Sequence, residues 1–241
     1  MPADGGDGDD DAANPDDPEF PDPDSALVLE PNCERCPALV ECRNRIAWGN
    51  GPSDADVLVV GEAPGAGTPD AESGEPDAGR PSPASDAWRG GNWTGLAYTA
   101  SHSGRRIRET MAAVGREDAF YTNAVKCFPA DLEDPSTNRE PTAAERENCR
   151  DHLRAEIEHI EPDAVVATGK HATASMLAFE DRSLDGFVDG VLEPIRIDSL
   201  DLTLVPVLHP AYRDVWLSRL GYDREAYLDD LRAVLDAAVD G

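Results

Sequence analysis

Lysine is almost missing from this chain: only Lys126 and Lys170 occur in 241 residues, so positive charge rests on arginine. No stretch approaches the run of about 18 apolar residues that a membrane-spanning helix needs, and the N-terminus lacks the basic and apolar segments of a signal peptide. Membrane insertion and export are therefore not expected, and a cytoplasmic location is. There is no internal repeat. A phosphate loop is also missing: Gly169-Lys170 precedes a helical pattern, but Ala164 stands where the earlier glycine should be and no Ser or Thr follows Lys170. Nucleotide hydrolysis is excluded on that ground.

What the chain has in abundance is acid. Its formal charge is −28. Residues 1–30 carry 11 acidic and no basic residues, yet the remainder still holds 38 acids against 21 bases. An acidic shell of this kind is tolerable where salt screens it, since the Debye length falls to about 3 Å at about 1 M. Adaptation to a salty cytosol is the expectation.

Residues 1–28, rich in Asp, Pro and Gly, bury too little apolar surface to offset ordering entropy, which predicts a disordered tail followed by one domain over 29–241. Four short apolar runs, Val57–Val60, Phe120–Val125, Ala164–Thr168 and Leu202–Leu208, alternate with helical patterns. That arrangement predicts a parallel sheet covered on both faces. Pro206 inside the last run points to an edge strand or a bulge. Thr142 with Glu145 forms a capping-box signature, and Leu153, Ile157 and Ile160 follow at helical spacing. The stretch 66–103, rich in Gly, Pro and Ser, is long enough to be functional rather than a mere connection.

Three polar groups stand where strands should end. Gly61-Glu62-Ala63-Pro64-Gly65 follows the first run, Asn123 interrupts the second near its carboxyl end, and His209-Pro210-Ala211 follows the last. Ligands of open α/β sheets bind beyond the carboxyl ends of strands. Alone, the Gly/Pro segment is a turn, the asparagine a cap and the histidine a structural partner. Together they define a candidate site: Asn123 offers donor and acceptor to the edge of a base, His209 can donate to an oxygen gaining negative charge, and Glu62 supplies a carboxylate.

Five cysteines remain. Cys33 and Cys36 form a C-x-x-C pair, followed by Cys127 and by Cys149, which in the capped helix reads equally as a small buried hydrophobe, with Cys42 left as a free thiol. In a reducing compartment this pattern reads as metal ligation or redox chemistry. Spacing does not separate zinc from an iron–sulfur cluster.

The ordered set of Cys33-x-x-Cys36, Gly61-Glu62-Ala63-Pro64-Gly65, Gly79-Arg80-Pro81, Thr122-Asn123-Ala124-Val125-Lys126-Cys127, Asn138-Arg139-Glu140-Pro141-Thr142, Cys149 and His209-Pro210-Ala211 resembles the iron–sulfur uracil-DNA glycosylases often called family 4. The resemblance covers roughly residues 33–220. It implies a three-layer α/β/α fold with a four-stranded, largely parallel sheet, and a structural [4Fe–4S] cluster on Cys33, Cys36, Cys127 and Cys149. It implies DNA repair by flipping uracil into a pocket and hydrolysing its glycosidic bond. Glu62 and His209 would then be catalytic, with Gly61, Ala63 and Asn123 binding the base.

Two departures bear on substrate range. The family commonly has an aromatic residue directly after Gly-Arg-Pro, whereas Ser82 follows here, which leaves Trp93 or Tyr98 to supply the stacking ring. An acidic residue usual after Gly-Glu-Ala-Pro-Gly is replaced by Ala66-Gly67-Thr68, with Asp70 beyond. Phosphate contact is expected from Ser103, Arg105 and Arg106 at a helix start, aided by Arg108, Arg80, Lys126 and Arg213. The expected partner is uracil-containing DNA, single- or double-stranded, met by a monomer that replication or repair proteins could recruit. A glycosylase-fold protein that only binds nucleic acid, or that removes a different damaged base, is the alternative. A zinc-stabilised nucleoside hydrolase ranks below both.

Overall fold

A computed structural model describes residues 18–69 and 87–240. The Gly79-Arg80-Pro81 motif, Ser82 and Asp70 lie outside the described residues. Among those described, seven strands form one sheet: β1 (Ala26–Leu27), β2 (Gly49–Asn50), β3 (Val57–Gly61), β4 (Phe120–Asn123), β5 (Ala164–Thr168), β6 (Ile195–Ile197) and β7 (Leu202–Val207). Their order is β1-β2-β4-β3-β5-β7-β6. The four apolar runs of the sequence are the central parallel strands β4-β3-β5-β7. The expected four-stranded sheet is thus widened to a mixed seven by antiparallel β1, β2 and β6 at the edges. These additions are two or three residues long, too short to show a period of two.

The central strands read as unbroken apolar runs because both faces are buried. Val57, Val59, Tyr121, Val166, Val205 and Val207 face helices α3 (Ser103–Ala113), α6 (Arg213–Leu220) and α7 (Arg224–Val239) through Ile107, Met111, Leu217, Tyr227 and Leu231. Leu58, Val60, Phe120, Val165 and Leu204 face α4 (Ala143–Ile160) and α5 (Lys170–Leu177) through Leu153, Ile157 and Met176. The three-layer α/β/α expectation holds in that sense. Helix α4 begins where the sequence places it: Thr142 Oγ1 accepts from the Glu145 N–H at 3.2 Å, and the Thr142 N–H donates to Glu145 Oε2 at 2.7 Å.

Two expectations are corrected. Strand β7 is internal, not an edge, but β6 pairs only with Leu202–Leu204. Pro206 therefore lies past the reach of β6, where its missing N–H costs no ladder bond. The tail is the second. Residues 18–28, expected disordered, hold Phe20 edge-on to Trp88 at 5.4 Å, one 3-10 turn capped by Asp22, and β1. Phe20, Leu27 and Leu29 are apolar anchors that the average composition of an acidic run conceals. No helix among the described residues is long and apolar enough to cross a membrane.

Candidate active site

Strand register brings the predicted groups together. Gly61, the last residue of β3, is paired with Asn123, the last of β4. The ladder continues one step further, with the Ala124 N–H donating to Gly61 O at 2.8 Å and the Val125 N–H to Glu62 O at 2.9 Å. Glu62 and buried Asn123 therefore stand on neighbouring strands at the carboxyl edge of the sheet, with the Glu62 carboxylate toward His171, Glu140 and Arg146.

Gly61 is small by necessity. A Cβ there would fall 2.4 Å from Asn123 Oδ1 and 2.7 Å from the Tyr98 hydroxyl. Tyr98 reaches this place from a left-handed backbone conformation (φ 54°) and shares a 2.5 Å hydrogen bond with Thr168 Oγ1 at the end of β5. Burial holds its phenol above the usual range, so the hydroxyl stays protonated. Next to Thr168, Gly169 adopts φ +90°, and a Cβ on it would stand 3.3 Å from the His209 Cβ. Asn123, Gly61, Tyr98, Thr168, Gly169 and His209 thus form a continuous line across the carboxyl ends of four parallel strands.

His209 sits two residues past β7, whose end is anchored by the Leu208 N–H donating to the Tyr227 hydroxyl at 3.2 Å. Its Nδ1 accepts from the Ala211 N–H at 3.2 Å, which leaves the ring proton on Nε2. Burial lowers its pKa, so a neutral imidazole with a free Nε2–H is the resting form. Glu62 is half-buried, and among the described residues its Oε1 has no hydrogen-bond partner. Burial raises its pKa, opposed by His171, raised further by Glu140 and opposed again by Arg146. His171 Nε2 and Glu140 Oε1 are 2.9 Å apart.

Of these neighbours Glu140 lies in the Asn138-Arg139-Glu140-Pro141-Thr142 motif, whereas His171 and Arg146 were not foreseen from the sequence. His171 lies in the first turn of α5, three residues past the end of β5, and a histidine just beyond an apolar run is a signal the sequence carries. Trp93 stands apart from this line. It lies on α2 (Gly91–Thr94), faces Gly67 and lines a groove with Phe20, Pro23 and Arg45, so the ring brought to Gly61 is Tyr98.

Several expected phosphate contacts are otherwise engaged. Arg108 donates to Asn50 Oδ1 at 2.7 Å and stacks 3.9 Å over the Tyr121 ring, and burial lowers its pKa to about 10. Arg213 is buried and donates to Thr110 Oγ1 at 2.6 Å. Lys126 is 1% exposed and ion-paired with Glu156 at 2.5 Å, while also donating to Thr122 Oγ1 and to Asn123 O. That lysine is a prop beneath Asn123, not a phosphate ligand. Ser103 opens α3, Arg106 lies 3.7 Å from Asp214, and Arg105 stands over Trp88 at 5.3 Å.

A strand-end line of this kind fits many α/β enzymes, and comparison with known proteins narrows it. Residues 48–234 match the family model of the uracil DNA glycosylase superfamily. The chain belongs to that superfamily. It is 30% identical over 184 residues to a type-4 uracil-DNA glycosylase of Pyrobaculum aerophilum, covering 75% of this chain and 78% of the relative. The type-4 uracil-DNA glycosylase of Thermotoga maritima is 30% identical over 187 residues, covering 75% and 77%. A type-5 uracil-DNA glycosylase of Pyrobaculum aerophilum is 28% identical over 219 residues, covering 78% and 82%.

In this member of the superfamily the cysteines form a second centre. Cys33, Cys127 and Cys149 are buried with Leu39, Trp48 and Val125, and Cys36 packs against them. None is in a disulfide. Arg43 Nη1 donates to Cys127 Sγ at 3.2 Å, Asn148 Nδ2 to Cys36 Sγ at 3.4 Å, and the Lys126 backbone N–H to Cys149. Burial raises the Cys127 thiol and pushes the Cys149 thiol up to about 11. Sulfurs that resist ionisation yet face N–H donors suit thiolates held by a metal.

Among the described residues no three of the four sulfurs lie within 4.8 Å of one another. A single zinc, about 2.3 Å from each sulfur, would draw them to about 3.8 Å apart. The wider spacing fits a larger group. Cys42 packs against the same cluster as Cys36 does and donates to Phe128 O at 3.1 Å. Ala63 packs against the cysteine cluster, so the Glu62 loop touches both centres.

Proposed function

We infer that this chain removes uracil from DNA, cleaving the bond between base and sugar to leave an abasic site. The observation that carries the reading is the single line of Asn123, Tyr98 and His209 across the strand ends, with Glu62 following β3 directly, in a chain of the uracil DNA glycosylase superfamily.

The chemistry follows from what each group can do. A base in a duplex is out of reach and must be turned outward, at a cost of a few kcal/mol that is smallest for mispaired or single-stranded uracil. Tyr98 offers a ring to the extruded base, and Asn123 pairs with its edge through a carboxamide that both donates and accepts. Gly61 and Ala63 let the backbone come close.

As the glycosidic bond lengthens, its electron pair leaves with the base. The His209 Nε2–H points a donor at the oxygen that takes up this charge, without a proton having to be moved first. The Glu62 carboxylate faces the opposite charge on the sugar and orients a water. The water oxygen bonds to the sugar carbon, its proton passes to Glu62, and the base takes a proton from solvent. Phosphates flanking the flipped nucleotide would meet Ser103, Arg105 and Arg106 around the first turn of α3.

The residues fit a [4Fe–4S] cluster held by Cys33, Cys36, Cys127 and Cys149, which when bound supplies rigidity rather than chemistry. Cys127 lies four residues beyond Asn123, and the Ala63 contact extends the same support to the Glu62 loop. The chain acts as a monomer in the cytoplasm on this reading.

The test is base release from single-stranded and duplex oligonucleotides with one uracil, across low to multimolar potassium chloride, using anaerobically purified protein. Abasic sites that appear with the native chain and not with Asn123→Ala support the assignment. DNA binding without release at any salt would replace it by a nucleic-acid-binding role, and release of another damaged base by the corresponding repair activity.

A further inference from the structure

Three of the four sulfurs have an N–H donor of their own: Cys127 has Arg43, Cys36 has Asn148 and Cys149 has the Lys126 backbone. Cys33 has a different neighbour. His152, buried on α4 one helical turn from Cys149, stands edge-on to Trp48 at 5.3 Å. One of its ring nitrogens, the Cys33 sulfur and a Glu30 carboxylate oxygen all lie within 4.8 Å of one another. Among the described residues His152 Nε2 is buried without a hydrogen-bond partner. The nearest oxygen, Glu30 Oε2 at 3.4 Å, is already held by Arg35 at 2.9 Å. A buried donor in that position lacks only a stronger acceptor.

We propose that His152 donates its ring N–H to the Cys33 thiolate, completes the set of one donor per sulfur, and tunes the reduction potential of the cluster. The inference rests on the four-cysteine cluster reading above. A thiolate ligand that accepts a hydrogen bond gives less electron density to iron, which favours the reduced cluster and raises its potential. The other three donors are an arginine, a side-chain amide and a backbone amide, so His152 is the neutral ring of the set and a replaceable one. Its neighbours among the described residues, Trp48, Cys33 and Glu30, belong to the cysteine centre.

The experiment compares anaerobically purified native protein with His152→Leu and His152→Gln by redox titration, read from visible absorbance and from the electron paramagnetic resonance of the reduced cluster. The midpoint is expected to become more negative in His152→Leu and to return most of the way in His152→Gln, which keeps a donor at similar reach. Should His152→Leu fail to hold the cluster, native protein labelled with 15N-histidine decides: its reduced cluster should show a histidine-nitrogen coupling in pulsed resonance. An unchanged midpoint in His152→Leu, or no such coupling in labelled native protein, overturns the proposal. Native protein with no iron and no absorbance near about 400 nm would instead overturn the cluster itself, a distinct failure.

Discussion

Burial pushes Glu62 and His209 toward their neutral forms from opposite sides, and the consequences for pH differ. Glu62 takes its proton above the ordinary carboxylate value of 4.5, so the carboxylate that orients water is lost as pH falls through that raised pKa. His209, lowered by burial, stays neutral further into the acid range than an ordinary imidazole. Single-turnover release measured from about pH 4 to about pH 8, which spans carboxylate and imidazole titration, should show an acid limb that disappears in Glu62→Gln. An identical limb in the variant would assign it to another group.

The same residue carries a stability cost. A group whose folded pKa is raised favours folding at low pH and opposes it once ionised. Glu62→Gln should therefore be more stable than the native chain at neutral pH, by about 1 kcal/mol for an unpartnered, partly buried oxygen, with the gain shrinking below the folded pKa. Thermal melts at two pH values check this. Activity and stability would then move in opposite directions at one position.

At the level of elements, the central strands and α4 were legible because their signals are local: unbroken apolar runs and a capping box. The edge strands were not, since two residues carry no pattern. Arginine and lysine roles were the least legible. Arg108, Arg213 and Lys126 stand near the motifs in sequence, but only packing reveals that each is buried and bonded inward. The choice of Tyr98 over Trp93 was likewise a matter of which ring crosses to Gly61, which spacing along a long loop cannot say. The strand-end groups Glu62, Asn123 and His209 were readable because each follows an apolar run directly.

The inward lysine sets the next expectation. Lys126 Nζ, Glu156 and Thr122 tie the end of β4 to α4 in a site where Glu156 also accepts from the Gly49 N–H at 3.1 Å. Lys126→Met leaves Glu156 buried without its cation and should cost about 3 to 5 kcal/mol. Lys126→Met combined with Glu156→Leu should cost less than Lys126→Met alone. Urea unfolding of the four species at fixed salt gives the coupling. If the single variant loses under about 1 kcal/mol, the pair is not holding the strand.

At the scale of the whole molecule the charge of −28 dominates. Several of its arginines pair with acidic residues, as in Arg116 with Asp236 at 2.7 Å and Arg232 with Asp229 at 2.6 Å. These exposed pairs contribute little each, and repulsion among the remaining acids opposes the compact state. Melting temperature should rise as potassium chloride goes from about 0.1 M, where the Debye length is about 10 Å, to above 1 M, where it is under about 3 Å. A flat or falling profile would mean that the acidic shell is not what limits stability.

The arm that carries Phe20 and β1 bears on how the chain can be shortened. A version begun at residue 29, where the acidic composition gives way, would lose the Ala26–Leu27 pairing with Gly49–Asn50 and the ring that covers Trp88. It would uncover backbone groups along β2 and an indole face together, a template for one copy to add to another. Light scattering should find such a trimmed chain self-associating at concentrations where one begun at residue 18 stays dispersed, which makes this acidic leader a guard against clumping rather than a dispensable extension.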